Sequence, residues 1–111
     1  MPAIQVSPID VFSALSNPIR RQILIDLRQG PRSASDISNG FQQLKRPAVS
    51  EHLQLLRRTG LVREEQRGRH RFYHLDPRPL ADVDQWLACF TAYWDDRLRA
   101  LEAVLREEHQ K

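Results

Sequence analysis

Two clusters of side chains in this 111-residue chain are dense enough to do chemistry. The first lies in KRPAVSEHLQLLRRTGL, from Lys45 to Leu61, and holds Lys45, Arg46, Ser50, Glu51, His52, Gln54, Arg57 and Arg58. The second places Arg67, Arg69 and Arg71 within five residues, with His70 among them. Cations at this density attract a polyanion. The first cluster also has a peculiar start. Lys45 and Arg46 stand where a helix dipole is already positive, and no Ser, Thr, Asp or Asn caps that end. Two readings stay open on these residues alone. Either an anion occupies the bare N–H groups between two cations, or both cations point into water at a cost of a few tenths of a kcal/mol. For the second cluster, three arginines in five residues favour polyanion contact over an ordinary solvated tip.

The elements that must position these clusters are legible in order. Val49, Leu53 and Leu56 fall at i, i+4 and i+7, the buried stripe of a helix that carries the first cluster, with Leu55 on its shoulder. Pro47 suits its first turn and Gly60 its end. Before it, Ser7-Pro8-Ile9-Asp10 opens a helix with Ser7 as cap and Ile9, Phe12 and Leu15 as apolar face. Asn17-Pro18 opens a second, through Ile19, Ile23 and Leu27 to about Gly30. Arg20 and Arg21 on it are read as salt-bridging or solvent-facing rather than ligand-binding. Ser33 to Asp36 caps a short third helix around Ile37. Two short helices joined by a tight turn form a helix-turn-helix over about 33–60. After Gly60 the period changes to two, and two β-rich runs around Gly68 predict a hairpin at about 61–75, with Leu61, Phe72 and Leu75 packing on the helices.

Asp76-Pro77 and Pro79 then start a last helix over about 79–108, about 40 Å long. Leu80, Leu87, Trp94 and Leu101 recur every seven residues on it. Val83, Phe90 and Val104 form a second seam interrupted by Arg97, widened by Trp86, Leu98 and Leu105. One small domain cannot cover such a stripe. The expected cover is the same helix of a second copy, assisted by the first helix. The interface residues would be Ile9, Phe12, Leu80, Val83, Leu87, Phe90, Trp94, Leu98 and Leu101. The chain is thus expected to be one domain, 1–111. It is mainly α with a β-hairpin (α+β), a winged helix-turn-helix of order α-α-α-α-β-β-α, dimerising through its first and last helices.

Charge follows the same division. Residues 45–71 carry net +5, residues 1–44 net +1, and residues 76–111 net −3, within a total of +3 and a pI near 9.6. A local basic patch on an otherwise acidic chain suits a polyanion approached from one side. The start MPAIQVSP has no basic leader and no long apolar run, so neither a signal peptide nor a membrane partner is expected. Cys89 is the only cysteine, which points to a reducing, cytoplasmic setting. Enzymatic readings lack parts: no glycine-rich phosphate loop, no Ser/His/Asp elbow spacing, no isolated carboxylate pair.

Several motifs in one order strengthen the reading. ALSNPIRRQIL at 14–24 resembles the opening helices of ArsR-type winged helix-turn-helix regulators, and RPAVSEHL at 46–53 resembles their recognition-helix signature. LRRTGLV at 56–62 and GRHRFYHL at 68–75 are similar to their helix end and wing. Trp86, Tyr93-Trp94-Asp95 and Leu98 resemble the metal-independent branch that includes SdpR-type repressors. The resemblance covers about residues 9–105. It implies a homodimeric transcriptional repressor on a palindromic double-stranded DNA operator. Arg46, Ala48, Ser50, Glu51, His52 and Gln54 would then face the major groove or its phosphates, and Arg67, Arg69 and Arg71 would set the wing against the minor groove or backbone. Within that frame an α-helix fits the major groove. Arg46 suits guanine, Gln54 adenine and Glu51 cytosine N4. Lys45, Arg57 and Arg58 would position the helix on phosphates. For His52, local packing or a phosphate is favoured over base readout.

The resemblance also raises a sensor. Metal-responsive relatives use thiolates before the recognition helix, or His and carboxylates paired across the last helices. Here the first position reads SASDIS, and the nearest fit to the second is Asp82, Asp84, Asp95 and Leu98. Neither set offers the thiolate or imidazole that Zn²⁺, Ni²⁺ and Co²⁺ prefer. No metal and no other cofactor is therefore expected. Cys89 is read as a buried structural thiol, with a redox-sensing disulfide between two copies as the alternative. A winged-helix module whose basic face meets an acidic protein is the other competing function. RNA is disfavoured because its A-form major groove does not admit a helix.

Overall fold

Side-chain caps set the first helices. In the computed structural model, which describes residues 10–109, α1 spans Val11–Leu15 and its cap is Asp10, whose Oδ1 accepts from the Ser13 N–H at 2.9 Å. The expected cap Ser7 and the neighbouring Ile9 lie outside the described residues. In α2, Pro18–Leu27, Asn17 Oδ1 accepts from the N–H groups of Ile19 and Arg20. In α3, Ala34–Asn39, Ser33 accepts from Asp36 N–H. Helix α4, Arg46–Arg58, follows with Lys45 at its cap position and no side-chain cap.

The end of α4 closes as its glycine predicts. Gly60 has φ +80°, its N–H donates to Arg57 O, and the Leu61 N–H donates to Leu56 O at 3.1 Å. These two bonds are a Schellman closure, and Leu56 and Leu61 are both fully buried beside it. The closure delivers the chain directly into β2, Val62–Arg67, which pairs antiparallel with β3, His70–Leu75. Gly68, at φ +60°, makes the two-residue turn between them.

Two features differ from the sequence-based expectation. A two-residue strand, β1 at Arg32–Ser33, pairs with β3, so the sheet has three strands in the order β1-β3-β2. Ser33 thus serves both as the last residue of β1 and as the cap of α3, which ties the helix-turn-helix to the wing. The packed residue of β3 is Tyr73, 3% exposed, and not Phe72 or Leu75, which are half-buried. Pairing of Glu64 with Tyr73 and of Val62 with Leu75 places Tyr73 on the face of Val62. Phe72, one residue off, falls on the outer face, where the Arg67 guanidinium lies 5.1 Å from its ring centre.

The core draws on α1 to α4, β2 and β3, with Leu61 between α4 and β2. Val11, Ala14, Ile23, Leu24, Leu27, Ile37, Val49, Leu53, Leu56, Leu61, Val62 and Tyr73 are all buried. All lie in the first of two compact units, Met1–Ala81. The second, Asp82–Lys111, contains most of α5, Leu80–Ala88, and all of α6, Thr91–His109. One continuous last helix was expected. Instead the Cys89 N–H reaches Trp86 O and the Phe90 N–H reaches Leu87 O, a tighter i→i−3 turn that separates the two. No Pro or Gly stands between Ala88 and Thr91, so propensity did not announce the break. No described helix is long and apolar enough to cross a membrane.

Gly60 gives a direct check on this architecture. A Cβ there would meet only the Pro79 side chain at an ordinary 3.5 Å. The cost of Gly60→Ala is therefore backbone strain alone, about 1–2 kcal/mol. Urea unfolding followed by circular dichroism should show that loss with an unchanged m-value.

Candidate nucleic-acid interface

Helix α4 buries Val49, Leu53 and Leu56 and turns its other faces outward. Lys45, Arg46, Ser50, Glu51, Arg57 and Arg58 are exposed, while Ala48, His52 and Gln54 are half-buried. The cationic start of α4 adjoins α3: Arg46 and Ser50 share a crevice with Ala34, Ser35, Ser38 and Tyr73. Ser35 and Ser38 therefore belong to the same surface as Arg46. Sequence reasoning did not select them, because they carry no charge and no pattern; only the packing of α3 on α4 brings them there.

The wing adds Arg67, Arg69 and Arg71, all exposed. Arg69 and Arg71, with Gln66 and His70, line a shallow concavity that also takes in Ser33, Ala34 and Ser35 at the start of α3. The wing thus extends the surface begun by α3 and α4.

The cations within this surface are not equivalent. Glu64, on the inner face of β2 with its side chain 14% exposed, binds Arg57 Nη1 at 3.0 Å and Arg71 Nε at 3.2 Å. One carboxylate thereby ties the end of α4 to β3. Burial of the Tyr73 hydroxyl, and after it the Glu64 charge, push that hydroxyl above its ordinary pKa. Glu65, on the outer face, binds Arg67 and, at 2.7 Å, His74 Nε2. The hydrogen bond from Arg67 is the main cause that holds the Glu65 carboxyl below its usual range. At the hairpin base Asp76 is held at about 2, first by its side-chain hydrogen bonds from Arg78. Among the described residues no carboxylate pairs with Lys45, Arg46, Arg58 or Arg69. At those four no carboxylate among the described residues competes with an external anion.

Residues 15–65 match the pattern of a helix-turn-helix domain. The chain is 33% identical over 89 residues to the transcriptional repressor SdpR of Bacillus subtilis, across 80% of this chain and 98% of that one. It is 36% identical over 92 residues to the HTH-type transcriptional regulator Rv2034 of Mycobacterium tuberculosis, across 78% and 85%. Among solved structures, the ArsR-like transcriptional regulator from Rhodococcus sp. RHA1 superposes with a TM-score of 0.63 at 33% identity, over 85% of this chain and 88% of that one. The chain belongs to the ArsR family. As an ArsR-family protein it is a DNA-binding transcriptional regulator and not an enzyme, and the likeness to SdpR fits the SdpR-type branch.

The positions expected at a contact between copies lie mostly in the second unit. Leu87, Phe90, Trp94, Leu98 and Leu101 are exposed, Val83 is half-buried, and no residue of α5 or α6 is buried. Trp86 and Phe90 meet edge to face at 5.1 Å, and Tyr93 and Trp94 at 5.7 Å. In the first unit Phe12 is exposed and Leu80 half-buried, while Ile9 lies outside the described residues. Cys89, expected to be a buried thiol on the helix shared between copies, lies at the turn between α5 and α6 and is exposed in the single chain, as are the stripe residues Leu87 and Phe90 beside it.

The division between paired and unpaired cations is measurable. Arg69→Ala should weaken binding to all duplexes alike and lower the salt slope of log K by about 1. Arg67→Ala should lower it less, since Glu65 already neutralises Arg67. Salt titrations of fluorescence anisotropy on one duplex check both.

Proposed function

We propose that this ArsR-family protein is a repressor that binds a palindromic operator as a homodimer, without a metal cofactor, in the cytoplasm. The observation that carries the reading is one surface with two properties. The outer face of α4 offers an uncapped, doubly cationic start, and the wing beside it keeps Arg69 free of any carboxylate. Helix α4 would enter the major groove, with Arg46, Ser50, Glu51 and Gln54 at base edges and Ala48 beside a thymine methyl. Lys45, Arg57, Arg58 and the wing arginines would hold phosphates.

The homodimer is supported by the exposed stripe from Trp86 to Leu105. Its large apolar side chains are each about half exposed in the isolated chain, Trp94 at 56% and Leu98 at 55%. Exposure on this scale is costly in water, and cover by a second copy would relieve it. Independence from metal is supported by the donor set. Cys89 is alone, and among the described residues no three His, Cys, Asp or Glu side chains converge as ligands. A second copy would present α4 twice, and half-sites should then lie about 10–10.5 bp apart, centre to centre.

Selection of bound duplexes from a random pool, followed by sequencing, tests the proposal. The expected product is an inverted repeat with that spacing; enrichment of no sequence would refute it. Gln54→Ala should lose about 1–3 kcal/mol of discrimination at a single base step. Replacing Trp94 or Leu98 by Glu should yield a folded monomer by light scattering, with operator affinity down roughly 100-fold or more as the two half-sites uncouple.

A further inference from the structure

Arg20 was expected to face solvent or a salt bridge, yet its side chain is half-buried and meets no carboxylate among the described residues. Its guanidinium reaches three groups. Nε donates to Ala14 O at 2.8 Å and Nη2 to Ser13 O at 3.0 Å, carbonyls at the end of α1. Carbonyls in the last turn of a helix lack the regular i+4 partner; Ser13 O also accepts from the Ser16 N–H and hydroxyl. Nη1 lies 3.3 Å from Nδ1 of His52, on α4. Arg21 supports the same end of α1 from outside, its Nη1 donating to Leu15 O at 2.7 Å.

The chemistry of the third contact is one-sided. A guanidinium has five donors and no acceptor. Nδ1 of His52 must therefore accept, which requires that nitrogen to be bare. A neutral ring with a bare Nδ1 carries its proton on Nε2. A protonated ring would set N–H against N–H and cation against cation. Burial and the Arg20 charge both disfavour protonation, in that order, while neighbouring Glu51 favours it. The ring lies in a concavity on the outer side of α4 with Arg20, Ser50, Glu51, Gln54 and Arg58. With Nδ1 engaged, Nε2–H is the only hydrogen-bonding group the imidazole can offer a ligand.

We infer that Arg20 is the positioning residue for His52, holding it as a neutral Nε2–H donor aimed at an acceptor on the DNA. The acceptor is a phosphate oxygen or a purine N7 or O6 in the major groove. The inference rests on the DNA-binding reading of α4. It also gives α1 a path of two hydrogen-bonded side chains to the reading surface: Ser13 and Ala14 carbonyls, Arg20, His52.

The linkage has a definite sign. His52 binds its proton less readily in the folded chain than in the unfolded one. Its contribution to stability is thus present above the unfolded value of about 6.5 and is lost as pH falls through the lower folded value.

Long-range ¹H–¹⁵N spectra of the free protein, titrated from pH 8 to 5, read tautomer and midpoint directly. The expected result is the Nε2–H form with a midpoint below 6.5. In Arg20→Gln the midpoint should rise and the two tautomers mix. Arg20→Lys keeps the charge but cannot span three acceptors, so the tautomer preference should fall while the midpoint stays low. Both variants are first checked for a cooperative thermal transition. An Nδ1–H ring, or a midpoint that neither Arg20 variant moves, overturns the positioning role. On DNA, His52→Asn, whose amide reaches only as far as Nδ1, should bind about tenfold more weakly than His52→Gln, whose amide reaches the Nε2 position. Loss on every duplex alike marks a phosphate, and loss at one base step marks a base. Equal affinities for the two variants overturn the donor role. Absence of DNA binding by the wild type would instead remove the reading on which it rests, and the spectra would still judge Arg20.

Discussion

Burial of one stripe on α4 is the constraint on which the rest depends. A 13-residue helix is marginal in water by itself. Val49, Leu53 and Leu56 are 2% exposed or less, and burying a side chain of this kind contributes about 1.5–3 kcal/mol. That apolar face is satisfied by α2, α3 and the entry to β2, and the remaining faces are left to polar residues. The same burial fixes which side chains point outward. Lys45 and Arg46 tolerate an uncapped, positive helix end because the stripe behind them holds the helix. The Schellman closure at Gly60 then converts the end of that helix into the first strand of the wing, so helix and hairpin share one geometry.

The wing is held to this frame by polar contacts as much as by apolar ones. Glu64 spans Arg57 of α4 and Arg71 of β3, and β1 joins the start of α3 to β3. A basic surface therefore contains its own partial neutralisation. Arg57, Arg67 and Arg71 are anchored and oriented by carboxylates, whereas Lys45, Arg46, Arg58 and Arg69 are not. Oriented and free cations serve different ends: the first give the surface its shape, and the second give it most of its attraction for a polyanion.

The second unit follows the opposite logic. In α5 and α6 no side chain is buried, although Trp86, Phe90, Trp94, Leu98 and Leu101 would dominate any core they joined. Their aromatic rings pair along the helices, and Arg97 lies 4.9 Å from the Tyr93 ring centre. An apolar stripe of this extent is the observation that supports the proposed contact between copies. The acidic balance of residues 76–111 also keeps this part of the chain from competing for the polyanion.

By itself the sequence determined what is local or periodic. Caps at Asn17 and Ser33, the stripe of α4, its bare cationic start and the positive-φ turns at Gly60 and Gly68 are all set by neighbours within a few residues, so they could be read directly. The ordered motifs from Ala14 to Leu75 likewise pointed to the ArsR family. Tertiary structure alone decided what depends on partners distant in the chain. A two-residue strand has no period, so β1 appears only where β3 offers it hydrogen bonds. One residue of register separates Tyr73 in the core from Phe72 outside, and only the pairing with β2 sets it. The break at Cys89 and Phe90 involves no helix-breaking residue. Arg20 and His52 are 32 positions apart, and α2 must pack on α4 before their contact exists. Charge could be counted along the chain, but which arginines are free could not, because a salt bridge is a fact of distance.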